Sequence, residues 1–141
     1  MNANGFNAAN QVAQSFYEGN AVRIADRITK DDGSVIVQAD ITSLTYWIHK
    51  IASDGTATQV ETGSLTVSAV WFNTLVLDAA WPDLVTGYNF MYRFASTNLT
   101  AVAGLATNYD IHVRGTLTDG TKFWGPHVRI SIAPLFHGTE T

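Results

Sequence analysis

Apolar and polar residues alternate with a period of two through most of the chain between residues 21 and 132. In residues 88–94, aromatic side chains alternate strictly with Asn89, Met91 and Arg93. In residues 41–51, Leu44 and Ile48 fall on one side of the alternation and Trp47 on the other. Successive side chains of a β-strand point to opposite faces, so this pattern predicts strands that are buried on one face.

Three Asp-Gly dipeptides separate these alternating runs: Asp32-Gly33, Asp54-Gly55 and Asp119-Gly120. Asp-Gly is typical of the two-residue type I′ turn, in which both central residues have positive φ. The dipeptides therefore predict three antiparallel hairpins. Seven or eight short strands at this spacing indicate an all-β protein, an antiparallel β-sandwich of two sheets.

The same pattern predicts the core. Residues 64–72 read as a further strand with Ala69 and Trp71 on its inner face, and Pro82 excludes a central strand in residues 73–87. Trp81 is expected to close one end of the core, while Leu99, Val102 and Leu105 anchor the stretch after it. The remaining residues expected to be mostly buried are Leu44, Tyr46, Ile48, Val67, Phe90, Tyr92, Ile111 and Val113.

Tyr109 gives the sandwich a more specific prediction. It follows a short polar connection and opens the strand before the last hairpin. A tyrosine at this point is typical of the tyrosine corner of immunoglobulin-like sandwiches, in which the hydroxyl bonds back to the preceding connection. We therefore expect an immunoglobulin-like sandwich rather than a jelly roll.

The first twenty residues differ from the rest, with five asparagines and a single charge, Glu18. The predicted division is an N-terminal arm over 1–20, a sandwich over 21–133 and a C-terminal tail over 134–141. The arm is either a flexible tail or a segment that docks on a neighbouring subunit, with a weak helix over 8–17. If it docks, Phe6, Phe16 and Tyr17 are its candidate interaction residues.

Composition narrows the possible partners. The chain has 141 residues, no cysteine, 14% charged residues and a formal net charge of −4. One domain of this length builds a core without disulfides. No cluster of Lys and Arg is present, which argues against direct nucleic-acid binding. Neither an apolar run long enough for a membrane span nor a signal peptide is apparent, so we expect synthesis in a host cytoplasm and no membrane partner.

The sequence contains no recognisable catalytic motif. It has no cysteine nucleophile and no Gly-x-Ser-x-Gly segment. His112 and His127 lie seven residues before and after Asp119-Gly120 and are expected to face each other across a hairpin. Zinc requires at least one further ligand, and none is placed by sequence. We predict no catalytic residue, no metal ligand and no cofactor.

The tryptophans are the remaining binding candidates. Trp71 is expected in the core, whereas Trp47 and Trp124 are expected at the surface, where they could stack on sugar rings or fill a pocket of a partner. The threonine-rich segment 56–61 is expected to be an exposed or edge strand that could add to a partner's sheet.

Three segments carry a family resemblance: Ile28-Thr-Lys-Asp-Asp-Gly-Ser34, Gly87-Tyr-Asn-Phe90, and the closing hairpin from Tyr109 to Pro126. Together they make residues 21–132 resemble small immunoglobulin-like virion proteins of tailed bacteriophages. The resemblance implies a non-enzymatic virion protein, expected here to be a capsid decoration subunit. It also implies partners among the major capsid protein or neck and tail subunits, and a homo-oligomer.

Two alternatives remain open at this point. The first is a neck or baseplate structural subunit, which would share the same sequence properties. The second is a carbohydrate-binding or adhesin module, which would need two or three coplanar aromatic rings on an exposed face.

Overall fold

The computed structural model describes residues 14–18, 21–77, 87–95, 97–101 and 105–134. Phe6, Trp81 and Val102 lie outside these ranges, as do residues 135–141 of the predicted tail. None of the helices in the described part of the chain has the length and apolar character that a membrane crossing requires. The elements in chain order are β1 (Gln14–Tyr17), β2 (Val22–Asp26), a 3-10 turn (Gln38–Asp40), β3 (Ile41–Ile51), β4 (Ala57–Leu65), the helical turn α1 (Val67–Val70), β5 (Trp71–Val76), β6 (Tyr88–Phe94), β7 (Thr107–Leu117) and β8 (Lys122–Ala133).

The strands form two sheets that pack as a sandwich, which confirms the all-β sandwich prediction. One sheet has five strands in the order β1-β8-β7-β3-β4, and the other has three in the order β2-β6-β5. All pairings are antiparallel except that of β1 with β8, which is parallel.

The predicted arm contributes a strand to the larger sheet. Residues 14–17 pair with β8 in a register that sets Phe16 opposite Ile132. Phe16 packs against the core, whereas the next residue, Tyr17, is 54% exposed. These residues are extended rather than helical, because pairing gives their backbone groups partners and Phe16 an apolar site. The described sandwich therefore begins at Gln14 and not at Ala21.

All three Asp-Gly dipeptides close reversals of the chain, but the predicted type I′ turn is wrong. In the last hairpin, Gly120 N–H donates to Leu117 O and Leu117 N–H donates to Thr121 O, which leaves three residues in the loop. The loops at Gly33 and Gly55 have the same bonds, and all three glycines have φ near +90°. Each loop is thus a type I turn followed by a glycine bulge. The aspartate stabilises it by accepting the N–H two residues on, as in the bond from Thr121 N to Asp119 Oδ1 of 2.8 Å.

The core lies between the two sheets. Trp71 and most of the predicted core residues are buried, while Tyr46, Val67 and Tyr92 are partly buried against it. The predicted anchor Leu99 is buried, but Leu105 is 70% exposed, so that prediction is wrong.

The strand predicted over residues 64–72 is wrong between its ends. Val67–Val70 form one helical turn, and Ala69 is exposed while Val70 and Trp71 are both buried. A strand cannot send two consecutive side chains to the same side, but a helical turn leading into β5 can.

The segment between β2 and β3 is held by buried polar groups. Asn89 accepts Ile28 N–H at 2.8 Å and donates to the carbonyls of Ile28 and Ile36 at 2.9 and 3.1 Å. The indole N–H of Trp71 donates to the same Ile36 carbonyl at 2.7 Å. These bonds satisfy backbone groups that no sheet reaches, so the segment packs firmly on the smaller sheet.

Candidate functional site

Strand pairing brings aromatic and basic residues together on the outer face of the five-stranded sheet. Trp47 on β3 pairs with His112 on β7, and His112 pairs with His127 on β8. One step along the strands, Arg114 pairs with Trp124. The residues between them in sequence, such as Ile48 and Val113, are buried in the core, so this set faces outward. We call His49, Trp47, His112, Arg114, Trp124 and His127 the outer-face cluster.

Arg114 lies between the two tryptophans of the cluster. Its Cζ atom is 5.3 Å from the centre of the Trp47 ring and 5.7 Å from the centre of the Trp124 ring. Both distances are within the range of cation–π attraction, worth about 0.5–1 kcal/mol at exposed sites. Trp124 is nevertheless 62% exposed. The two contacts restrict a side chain that would otherwise sample many rotamers.

Three imidazoles continue the cluster. The His112 ring stacks on Trp47 at 5.2 Å and 24°, and on His49 at 5.5 Å and 9°. The His127 ring meets His112 edge-on, at 5.4 Å and 70°. Burial lowers the pKa of His112, and the neighbouring His127 and His49 lower it further. His112 is therefore neutral at neutral pH.

An ion pair borders the cluster. Arg129 Nε donates to Asp110 Oδ1 at 2.7 Å and its Nη2 donates to Oδ2 at 3.0 Å. His127 Nε2 lies 3.8 Å from the same carboxylate. Burial acts to raise the pKa of Asp110, but the bonds and charges of Arg129 and His127 outweigh it and lower that pKa. Asp110 is thus ionised and neutralised locally by Arg129.

The outer face is cationic on a chain of negative net charge. Lys122 lies beyond Arg114 on the same face and donates to Thr116 Oγ1 at 3.0 Å. Among the described residues, this face therefore carries three permanent cations, Arg114, Lys122 and Arg129, against one carboxylate, Asp110, whereas the formal net charge of the whole chain is −4. Anionic groups of a partner are therefore attracted to this side of the molecule.

The imidazoles do not form a metal centre. His112 and His127 face each other across the hairpin, as predicted. Across the described ranges, however, no group of three or more His, Cys, Asp or Glu residues is placed to hold a metal ion. The parallel rings of His49 and His112 direct their faces at each other and not their nitrogens at a common point.

The structure places the predicted interaction residues at three different sites. Trp47 and Trp124 come together in the outer-face cluster, Trp47 half-buried and Trp124 exposed. Tyr17 is exposed on β1, while Phe16 packs against the core. Sequence reasoning missed Arg114 and His49. Their alternation with buried residues was the available signal, because it places them on the same face as Trp47.

The edge strand β4 is exposed, as predicted, but carries two features that oppose further pairing. Its register with β3 shifts between Ile48 and His49, where Val60 is bulged. Glu61 turns inward and accepts hydrogen bonds from Tyr46 Oη and Asn98 Nδ2. Bulges and inward-pointing charges are devices by which proteins block edge-to-edge association. The outer face is therefore a better candidate for a binding surface than the β4 edge.

The chain matches no family model, and no curated protein matches it.

Proposed function

We propose that this protein is a non-enzymatic structural subunit of a tailed-phage particle, a capsid decoration protein that binds its neighbours through the outer-face cluster. The observation that supports this most is the exposed Trp124 beside Arg114 and Trp47. Tryptophan and arginine are the residue types that contribute most to binding at protein interfaces.

The exposed tryptophan is costly to leave in water. A fully buried aromatic side chain gains roughly 1.5–3 kcal/mol relative to an exposed one. Trp124 is also held against Arg114, so little conformational entropy remains to be lost when a partner covers it. A rigid, partly solvated aromatic group of this kind is suited to a pocket on another protein.

The strand order supports an immunoglobulin-like sandwich. Neighbours β8-β7-β3 correspond to strands G, F and C of that fold, and β2-β6-β5 correspond to B, E and D. Tyr109 opens the strand equivalent to F and bonds back to the connection before it. This order agrees with the resemblance of residues 21–132 to immunoglobulin-like virion proteins, from which the phage assignment is taken.

The low proportion of charged residues, 14% of the chain, supports a role as a decoration protein. A decoration protein stabilises a shell through many copies of a modest interface, arranged with the symmetry of the lattice. Such contacts are made mainly by apolar and neutral polar residues, and a charge buried in them, such as that of Arg114, needs an opposite charge from the partner. The proposal accordingly includes two kinds of contact: copies of this chain associate with each other as a homo-oligomer, and the oligomer binds the major capsid protein.

The sugar-binding alternative is less well supported by the ring geometry. A sugar platform needs coplanar rings whose faces are open to solvent. Here the faces of Trp47 and His112 stack on each other, and Arg114 lies over both tryptophans. Trp47 is half-buried by these contacts, which leaves Trp124 as the exposed tryptophan of the cluster, whereas a sugar platform needs two or three open rings.

The test begins with particles that lack the chain. Such particles should assemble, and should open at a lower temperature or at low salt. Adding back the purified chain should restore the melting temperature, and the Trp124→Ser variant should bind fewer copies per particle. Leu77→Ser is the matched control, because Leu77 is 70% exposed and follows β5 of the other sheet.

Each outcome has a definite reading. Equal losses with Trp124→Ser and Leu77→Ser would reject the outer face as the contact. If particles without the chain package DNA but never join tails, the protein is a neck subunit and not a decoration subunit. Absence of the chain from mature particles would overturn the virion function altogether.

A further inference from the structure

We infer that the outer-face cluster binds an acidic segment of a partner protein, with a carboxylate of that segment seated on Arg114. The inference rests on the proposed function, because it specifies the chemistry of the protein partner that the proposal requires. It goes beyond that proposal in naming the group recognised and the residue that recognises it.

Arg114 is oriented for such a contact before any partner binds. The tryptophan contacts at 5.3 and 5.7 Å restrict its guanidinium group. No ion pair joins Arg114 to a carboxylate within the described ranges, whereas Arg129 is engaged by Asp110. A planar guanidinium stacked on rings still has N–H groups in its plane that can donate two parallel bonds to a carboxylate.

The surrounding charges favour an anionic partner. Lys122 and Arg129 flank Arg114 along the strands, and Asp110, the only carboxylate that the described residues place on this face, is already paired. The rest of the chain is acidic, so an acidic segment is steered to this face and repelled elsewhere. The outward residues of β4 beside the cluster are Gln59, Thr62 and Ser64, which supply hydrogen bonds without adding charge.

A protein segment fits this surface better than a nucleic acid or an anionic sugar. Nucleic acids bind to extended rows of cations that neutralise many phosphates, and this face has one unpaired arginine and one lysine. Stacking with bases or sugars needs open ring faces, which Trp47 lacks. An acidic segment with an apolar neighbour uses both Arg114 and the exposed side of Trp124.

The experiment measures binding of a short poly-glutamate peptide to the purified chain, by tryptophan fluorescence and calorimetry, with a Gly-Ser peptide as the neutral probe. We expect saturable binding of the poly-glutamate peptide and no binding of the Gly-Ser peptide. Arg114→Gln should weaken it by about tenfold or more, the size expected for a charge-assisted hydrogen bond. Arg114→Lys should recover only part of the loss, because lysine keeps the charge but not the planar stack.

Arg93→Gln is the matched control, since Arg93 is an exposed strand arginine of the other sheet. It should leave the affinity for poly-glutamate unchanged. If Arg93→Gln and Arg114→Gln weaken binding equally, the loss comes from the change in net charge alone, and Arg114 is rejected as the binding residue. No binding by the unaltered chain would reject the site itself. If a DNA oligonucleotide or heparin binds more tightly than poly-glutamate, and this binding depends on Arg114, the partner is a nucleic acid or an anionic sugar and not an acidic protein segment. None of these results depends on whether particles contain the chain, so this inference and the proposed function fail separately.

Discussion

The hydroxyl group of Tyr109 satisfies both polar groups of the Thr100 backbone. It donates to Thr100 O at 2.7 Å and accepts Thr100 N–H at 3.2 Å. Tyr109 itself is 1% exposed, with its ring in the core. The side chain therefore ties the connection before β7 to the centre of the larger sheet, as the sequence predicted for a tyrosine corner.

Tyr109→Phe should lower the free energy of unfolding by about 0.5–1.5 kcal/mol, the net contribution of a typical intramolecular hydrogen bond. The ring would stay in place, but the bonds of its hydroxyl group to the Thr100 backbone would be lost, and water can replace part of them because Thr100 is exposed. Urea denaturation measures the change. Tyr17→Phe is the control, since Tyr17 is 54% exposed, and equal effects of the two substitutions would contradict the role of the corner.

The fold was largely predictable because its signals are local. Alternation over residues 88–94 predicted β6, and Asp119-Gly120 predicted the last hairpin. The position of Tyr109 before that hairpin predicted the hydrogen bond from its hydroxyl group to the preceding connection. In each case the physical cause lies within a few neighbouring residues, through side-chain alternation, turn conformation or strand propensity.

The rest depended on contacts that are distant in sequence. Asn89 reads as an outward polar residue in its alternating strand, and only the bonds to Ile28 and Ile36 make it buried. The position of Arg114 between Trp47 and Trp124 requires the register of β7 with β3 and with β8, including a shift after His112. Register over three strands is set by the whole core and by bulges, which a single sequence does not reveal.

Substitutions in β1 should have alternating effects. Phe16→Ala should destabilise the protein by about 1–3 kcal/mol, because Phe16 is partly buried against the core and its loss removes apolar contact area. Tyr17→Ala should change stability by less than about 0.5 kcal/mol, since Tyr17 is exposed. Thermal unfolding of both variants checks this. Similar stabilities would show that β1 does not dock on β8 in solution.

Gly115 should not tolerate a side chain. A Cβ atom added there would lie 2.1 Å from Cζ of Phe123, its cross-strand partner. The Phe123 ring also meets Trp71 edge-on at 5.7 Å, so moving it disturbs the core. Gly115→Ala should therefore cost about 1–3 kcal/mol of stability by urea denaturation. Asn108→Ala, at an exposed position of the same strand, should cost less than about 0.5 kcal/mol.

Asp26 has a carboxyl group that is buried in the protein interior. Its side chain is fully buried, and Oδ1 accepts the Arg27 N–H at 2.8 Å. Within the described part of the chain, Oδ2 has no hydrogen-bond partner. Burial raises the pKa of Asp26 to about 8, against the lowering effects of the Arg27 N–H bond and charge. The carboxyl group is therefore protonated in the folded protein at neutral pH.

This shift gives stability a definite pH dependence. Between pH 3.8, the ordinary value, and about 8, the folded state holds a proton at Asp26 that the unfolded state has released. The free energy of unfolding contributed by this group is thus greatest below pH 3.8 and falls as the pH rises to about 8. Asp26→Asn has the same shape, keeps the acceptor for Arg27 N–H and cannot ionise. Compared with the unaltered protein, this variant should gain stability steadily from pH 5 to pH 8, by several kcal/mol over the range. Urea denaturation at each pH measures the difference in free energy of unfolding between the two proteins. The effects of the surface carboxylates cancel in this difference, because both proteins contain them. A difference that stays constant with pH would show that Asp26 titrates normally in the folded state.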